Sequence, residues 1–190
     1  MSQNFRMSYL KNVKDCKACM VREECREPVP GEGDFNSKLV FVGRNPGEEE
    51  DLQGHPFVGA AGKVLNRMLR LLELERKDVF ITNLYLCHSK LNRFPTREEA
   101  RTCIKKFLRP TLLDIKPKVV VTFGETTNYY LCGLKSITKH SAMLFDHNDG
   151  FTVVPSVHPA AVCYDPSKWA MLEKVIDSIR FALRVDYSKC

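Results

Sequence analysis

Four short apolar runs punctuate the chain. They are KLVFVG at Lys38–Gly43, DVFITN at Asp78–Asn83, KVVVTFG at Lys118–Gly124 and FTVVPSVHP at Phe151–Pro159. Runs of this length, rich in β-branched and aromatic residues and bounded by Gly, Asn or Pro, predict buried strands. Between them the pattern changes period. Val64, Leu65, Met68, Leu69, Leu71 and Leu72 recur at helical spacing over Ala61–Leu74. Thr96 and Glu99 have capping-box spacing and predict a helix carrying Cys103, Ile104, Phe107 and Leu108, which Pro110 should end or kink. A helix is expected after the third strand. Another opens at Asp165-Pro166, with proline suited to the first turn. Residues 1–37 read as polar and irregular, with Pro28, Pro30, Gly31 and Gly33 marking a loop, and Asn45–Gly62 and Leu84–Phe94 read as loops.

Strands alternating with helices predict an α/β fold: a three-layer αβα sandwich around a central four-stranded, mainly parallel sheet. Ligands of such sheets bind beyond the carboxyl ends of the strands. Three segments rich in Gly, Pro and polar residues follow strand ends: Gly43–Gly62, Asn83–Pro95 and His158–Pro166. They are expected to converge on one site.

Length and composition narrow the class. A chain of 190 residues, 44% hydrophobic and 27% charged, fits one soluble globular domain over 1–190, expected to be a monomer. No apolar stretch is long enough to span a bilayer, and the N-terminus lacks a signal-peptide core, so a cytoplasmic location is the expectation. The net charge of +6 is compatible with a nucleic-acid partner but carries little weight alone.

The eight cysteines weigh more. In a reducing compartment, clustered cysteines point to metal or redox chemistry rather than disulfides. Cys16 and Cys19 form a CxxC, and Cys87 and Cys103 lie far downstream, one in a loop and one on a helix. Four thiolates hold either zinc or a [4Fe–4S] cluster, and composition does not separate the two. Cys25 lies close enough to the CxxC to compete as a ligand, whereas Cys132, Cys163 and Cys190 read as apolar, loop or tail thiols.

The cysteine spacing and three further blocks resemble the family 4 uracil-DNA glycosylases. The blocks are Gly43–Gly62 (GRNPGEEEDLQGHPFVGAAG), Ile81–Cys103 with its Asn-Arg-x-Pro-Thr stretch, and Ser156–Ala161 (SVHPAA). The resemblance implies a uracil-DNA glycosylase fold, a DNA partner, and a [4Fe–4S] cluster on Cys16, Cys19, Cys87 and Cys103, with Cys25 a bystander. It implies that a pyrimidine flipped out of DNA stacks on Phe57 and is read at its edge by Asn83. His158 would donate to O2 of the departing base. Arg44 and Glu50 are placed with the base, and Arg93, Ala160, Ala161 and Val162 with the DNA. Residues Ala160–Tyr164 form the candidate wedge that fills the gap left by the base. His55 and His88 lie near the site without an assigned role.

The first block departs from that family. Arg44-Asn45 stands where family 4 carries Glu-Ala or Glu-Gly. Gly-x-Asn-Pro-Gly instead resembles the mismatch-specific and single-strand-selective glycosylases, which implies that Asn45 positions the attacking water. The altered pocket floor leaves two substrates open, uracil or a bulkier modified cytosine such as those of phage DNA. Lys90–Pro95 lacks the Lys-Arg-Arg-Ile-His insertion of relatives that trap uracil covalently, so an abasic product is expected rather than an adduct. A non-catalytic iron–sulfur module that binds nucleic acid, or a redox protein, would keep the cysteines. The first needs neither Asn83 nor His158 at strand ends, and the second does not need the Gly43–Gly62 loop.

Overall fold

The computed structural model describes residues 3–184. Its sheet has six strands in the order β1-β3-β2-β4-β6-β5. Four match the apolar runs: β2 (Leu39–Gly43), β3 (Phe80–Asn83), β4 (Val119–Phe123) and β6 (Thr152–Ser156), all parallel to one another. Two more were not predicted. Strands β1 (Glu32–Gly33) and β5 (Phe145–Asp146) are two residues long and antiparallel at the two edges. Two residues carry no readable period, which is why the sequence pattern yields four strands and the sheet has six. Such short edges leave little unpaired backbone for another chain to extend.

Every residue of the four parallel strands is buried. Alternate side chains serve opposite faces, as the pleat requires. Leu39, Phe41, Val119, Val121 and Val154 join one core, and Val40, Val42, Val120 and Val153 join the other. Helices α3 (Ala60–Leu71) and α9 (Trp169–Arg184) cover the first core with Leu65, Met68, Leu69, Leu172, Val175, Ile176 and Ile179. Helices α1 (Gln3–Lys14), α4 (Arg97–Cys103) and α5 (Arg109–Ile115) cover the second with Tyr9, Val13, Ala100, Leu112 and Ile115. The result is the expected three-layer sandwich.

Three expectations need correction. Residues 1–37 are not irregular throughout, because α1 lies within them. Its buried Tyr9 and Val13 are spaced one helical turn apart, a signal too sparse to stand out among the polar residues around them. The Asn45–Gly62 loop contains a short helix, α2 (Glu48–Gln53). Its four consecutive acidic residues suit a helix N-terminus, where the backbone dipole favours negative charge. Pro110 does not end its helix either. A π-helical turn at Ile104–Leu108 precedes it and the chain runs on to Ile115, since proline near the start of a new turn needs no N–H donor.

Candidate active site

A cavity of about 900 Å³ opens at the carboxyl end of the sheet. Its lining includes Arg44, Asn45, Glu50 and Phe57 from the segment after β2, Asn83 and Asn92 from the end of β3 and beyond, and His158, Ala160 and Ala161 after β6. The three expected segments therefore meet. A fourth contribution, Phe123–Thr126 at the end of β4, was missed because it has no unusual composition.

Phe57 sits with φ at 54°, a left-handed conformation uncommon for a bulky side chain. The strain is held from outside. The Arg76 guanidinium donates to the carbonyl oxygens of Pro56 (2.6 Å) and Phe57 (3.2 Å) and pairs with Glu32. Two glycines make room. A Cβ at Gly62 would lie 1.8 Å from the Phe57 oxygen, and one at Gly43 would lie 2.6 Å from the Phe57 ring and 2.4 Å from Asn83 Oδ1. Glycine is therefore required at both positions. The Phe57 ring packs against Phe123 and His158, with centroids 5.7 and 6.0 Å away. It belongs to the core on one side and to the cavity on the other. The Asn83 side chain is 3% exposed, lines the cavity, and hydrogen-bonds no group among the described residues.

His158 Nδ1 accepts the Ala160 N–H at 3.1 Å. In the neutral ring the proton is then on Nε2. Burial, reinforced by the positive charge of Arg44, lowers its pKa to about 4, so the ring is neutral at physiological pH.

Arg44 and Asn45 form a network with Asn92, the first residue of the Asn-Arg-x-Pro-Thr stretch and one that no local pattern marks for the site. Arg44 Nε donates to Asn45 Oδ1 (2.5 Å), and Arg44 Nη2 donates to Asn92 Oδ1 (2.6 Å). Asn45 Nδ2 donates to the Pro46 oxygen (2.9 Å) and to Asn92 Oδ1 (3.1 Å). Both Asn45 amide protons are used, and one acceptor position remains on Oδ1. The Arg44 guanidinium also lies over the Phe94 ring, 4.3 Å from its centroid. Among the described residues Arg44 is the only Arg or Lys lining the cavity, against Glu48, Glu49, Glu50 and Glu125.

Other assignments shift. Glu50 lines the cavity, yet both carboxylate oxygens are engaged: Oε2 accepts the Gly47 amide (2.9 Å), and Oε1 those of Val58 (2.8 Å) and Gly59 (2.9 Å). It holds the two ends of its loop together rather than facing a base. Arg93 pairs with Glu24 and Glu99, so much of its charge is met within the protein. Val162 packs against the core under α3 and α9 instead of facing outward. Ala160 and Ala161 line the cavity from α8 (Ala160–Tyr164), and Tyr164, 89% exposed, stands at its rim. His88 Nδ1 bonds the Pro46 oxygen and His55 Nδ1 meets Glu32, so both act as braces.

Cys16, Cys19, Cys87 and Cys103 line a second, small cavity with Leu86, Phe107 and Pro28. Among the described residues no three His, Cys, Asp or Glu side chains close on a single ion-sized point. Cys25 is buried outside this lining and interacts with Cys87. Cys132 is half-buried, Cys163 is exposed, and Cys190 lies outside the described residues. Burial pushes the Cys103 thiol up to about 12. A thiolate there needs compensating positive charge close by.

Residues 30–180 match the family described as the Uracil DNA glycosylase superfamily. The chain belongs to that superfamily. Within it the chain falls with the type-4 proteins. It is 36% identical to the Type-4 uracil-DNA glycosylase of Saccharolobus solfataricus over 180 residues, covering 90% of this chain and 83% of that one. It is 41% identical to the Type-4 uracil-DNA glycosylase of Thermotoga maritima over 152 residues, 79% of each. A Type-5 uracil-DNA glycosylase of Pyrobaculum aerophilum is 30% identical over 174 residues, 81% of this chain and 75% of that one. Among the described residues no helix is long and apolar enough to cross a membrane.

Proposed function

We propose that this superfamily member is a monofunctional DNA glycosylase that hydrolyses the glycosidic bond of uracil in DNA and leaves an abasic site. The observation that carries the reading is the neutral His158, with its remaining proton on Nε2, in the same cavity as Phe57 and the unpartnered amide of Asn83.

A flipped pyrimidine stacks on Phe57, an interaction worth about 1–3 kcal/mol for aromatic–base pairs. Asn83 accepts from N3–H and donates to O4. A base with the wrong edge leaves that buried amide unpaired and is rejected. Bond cleavage develops negative charge on the base and positive charge on the sugar. His158 Nε2–H donates to O2 and stabilises the first. The surplus of carboxylates lining the cavity favours the second. Asn45, held by Arg44 and Asn92, offers its free acceptor position to the attacking water. Among the described residues no lysine lines the cavity, which leaves no Schiff-base nucleophile there and supports an intact strand.

Cys16, Cys19, Cys87 and Cys103 would hold a [4Fe–4S] cluster. Four soft sulfur donors in an apolar setting suit it, and its iron supplies the charge that a buried thiolate requires. When bound it cross-links the N-terminal segment to the loop after β3 and to α4. The base-release chemistry belongs to the residues of the other cavity.

A second reading, excision of a bulkier cytosine derivative, is favoured by the cavity volume of about 900 Å³ and by the Arg44–Phe94 stack at its mouth. Base release from oligonucleotides containing uracil or modified cytosines separates the two. A non-catalytic DNA-binding module would release neither base.

A further inference from the structure

The segment Ser89–Phe94 is pinned at nearly every residue. The Lys90 amide donates to Glu24 Oε2 (2.9 Å), and Ser89 Oγ donates to the Arg93 oxygen (2.7 Å). Arg93 pairs with Glu24 and Glu99, and Asn92 accepts from Arg44 and Asn45. Leu91 alone is left out. Its side chain is fully exposed, at 102% relative accessibility, and its φ is 54°, the left-handed region that leucine rarely adopts. A braced loop thus holds one aliphatic side chain in water with a strained backbone. Such strain persists where the surroundings over-determine it, and it concentrates at functional sites.

The position of Leu91 is informative. It precedes Asn92 and Phe94, which line the cavity mouth, and Lys90 beside it is exposed and makes no ion pair among the described residues. Tyr164, 89% exposed, stands at the rim on the segment after β6. The segments after β3 and after β6 thus each bring an exposed apolar side chain to or beside the cavity mouth. Proteins that distort duplex DNA insert apolar wedges between base steps.

We propose that Leu91 is a DNA wedge: it enters the base stack beside the flipped nucleotide, while Lys90 meets the adjacent phosphate. This rests on the glycosylase reading for its substrate. The partner is duplex DNA, since a single strand has no paired stack to hold open.

Leu91→Gly is the decisive variant, because glycine is at ease at a positive φ and the fold is relieved rather than strained by the change. Two readouts apply. In single-turnover excision of uracil, the ratio of the duplex rate to the single-strand rate should fall at least about tenfold, equivalent to about 1.4 kcal/mol, and Leu91→Met should restore most of it. In binding to a duplex carrying 2-aminopurine next to the target nucleotide, the fluorescence rise on unstacking should be largely lost in Leu91→Gly. The fluorescence reports stacking whether or not a base is released, so failure of the glycosylase reading leaves it interpretable. Equal fluorescence rises in the native protein and Leu91→Gly, or an unchanged rate ratio with an unchanged or higher melting temperature, would overturn the proposal.

Discussion

The rings of Phe57 and His158 lie nearly parallel, 19° apart in plane and 6.0 Å apart at their centroids. One residue comes from the segment after β2 and the other from the end of β6. Their packing joins the base-stacking surface to the hydrogen-bond donor, so a change at either ring moves the other.

The first prediction concerns pH. Burial and Arg44 lower the His158 pKa to about 4 from 6.5. The acidic limb of the kcat/KM profile should therefore fall near pH 4 and not near 6.5. The same shift has a stability consequence. Between those two values the unfolded chain binds a proton that the folded one does not, so stability should decline as pH falls from 6.5 toward 4 and be fully present above 6.5. Parallel rate and melting measurements across pH 4–8 check both. A limb near 6.5 would mean that His158 is not desolvated.

Arg44 contributes to that shift, and the network around Asn45 gives a second prediction. Asn45→Ala should slow single-turnover excision by at least about 100-fold, the lower end for one preorganised group. Substrate binding should change little, because the loss falls in the transition state. Asn45→Asp should retain only part of the rate, since a carboxylate oxygen would then face the Pro46 oxygen and Asn92 Oδ1, which now accept hydrogen bonds. Near-native rates for Asn45→Ala would reduce it to a turn residue.

Glu50 offers a test of structure rather than chemistry. Its carboxylate accepts three backbone amides across its loop. Glu50→Ala strands those donors, and about 1–3 kcal/mol of stability should be lost for each that water cannot reach. Glu50→Gln keeps one acceptor oxygen and should lie between. If Glu50→Gln melts like the native protein while losing base discrimination, Glu50 contacts the base after all.

The cysteines yield a fourth prediction. The purified protein should be brown, with about four iron atoms per chain. Cys87→Ser or Cys103→Ser should lose the colour and lower the melting temperature, whereas Cys25→Ser should keep the iron. Stoichiometric zinc in a colourless native protein would contradict the iron assignment.

The parts of this molecule legible in the sequence are those with strong local patterns. The four buried strands announce themselves as apolar runs, and Thr96–Glu99 caps α4 as its spacing predicts. The convergence of three loops follows from the parallel topology alone. What escaped detection depends on partners distant in the chain. Nothing local marks Arg76 as the brace of Phe57, and Arg93 looks like a free DNA-binding cation until Glu24 is folded against it. Asn92 acquires its place only when Arg44 and Asn45 reach it across the cavity. The exposure of Leu91 is equally invisible, because a leucine in sequence predicts burial.

The central claim is tested most directly by incubating the holoprotein with an oligonucleotide carrying a single uracil and resolving the products before and after alkali. Free uracil is expected, with an intact strand that breaks at the former uracil only after alkali. The rate should fall at least about 100-fold in His158→Ala, where the donor to O2 is gone, and Asn83→Ala should widen base choice while slowing excision. Uracil left in place by the iron-loaded native protein, or release at a native rate by His158→Ala, would contradict it.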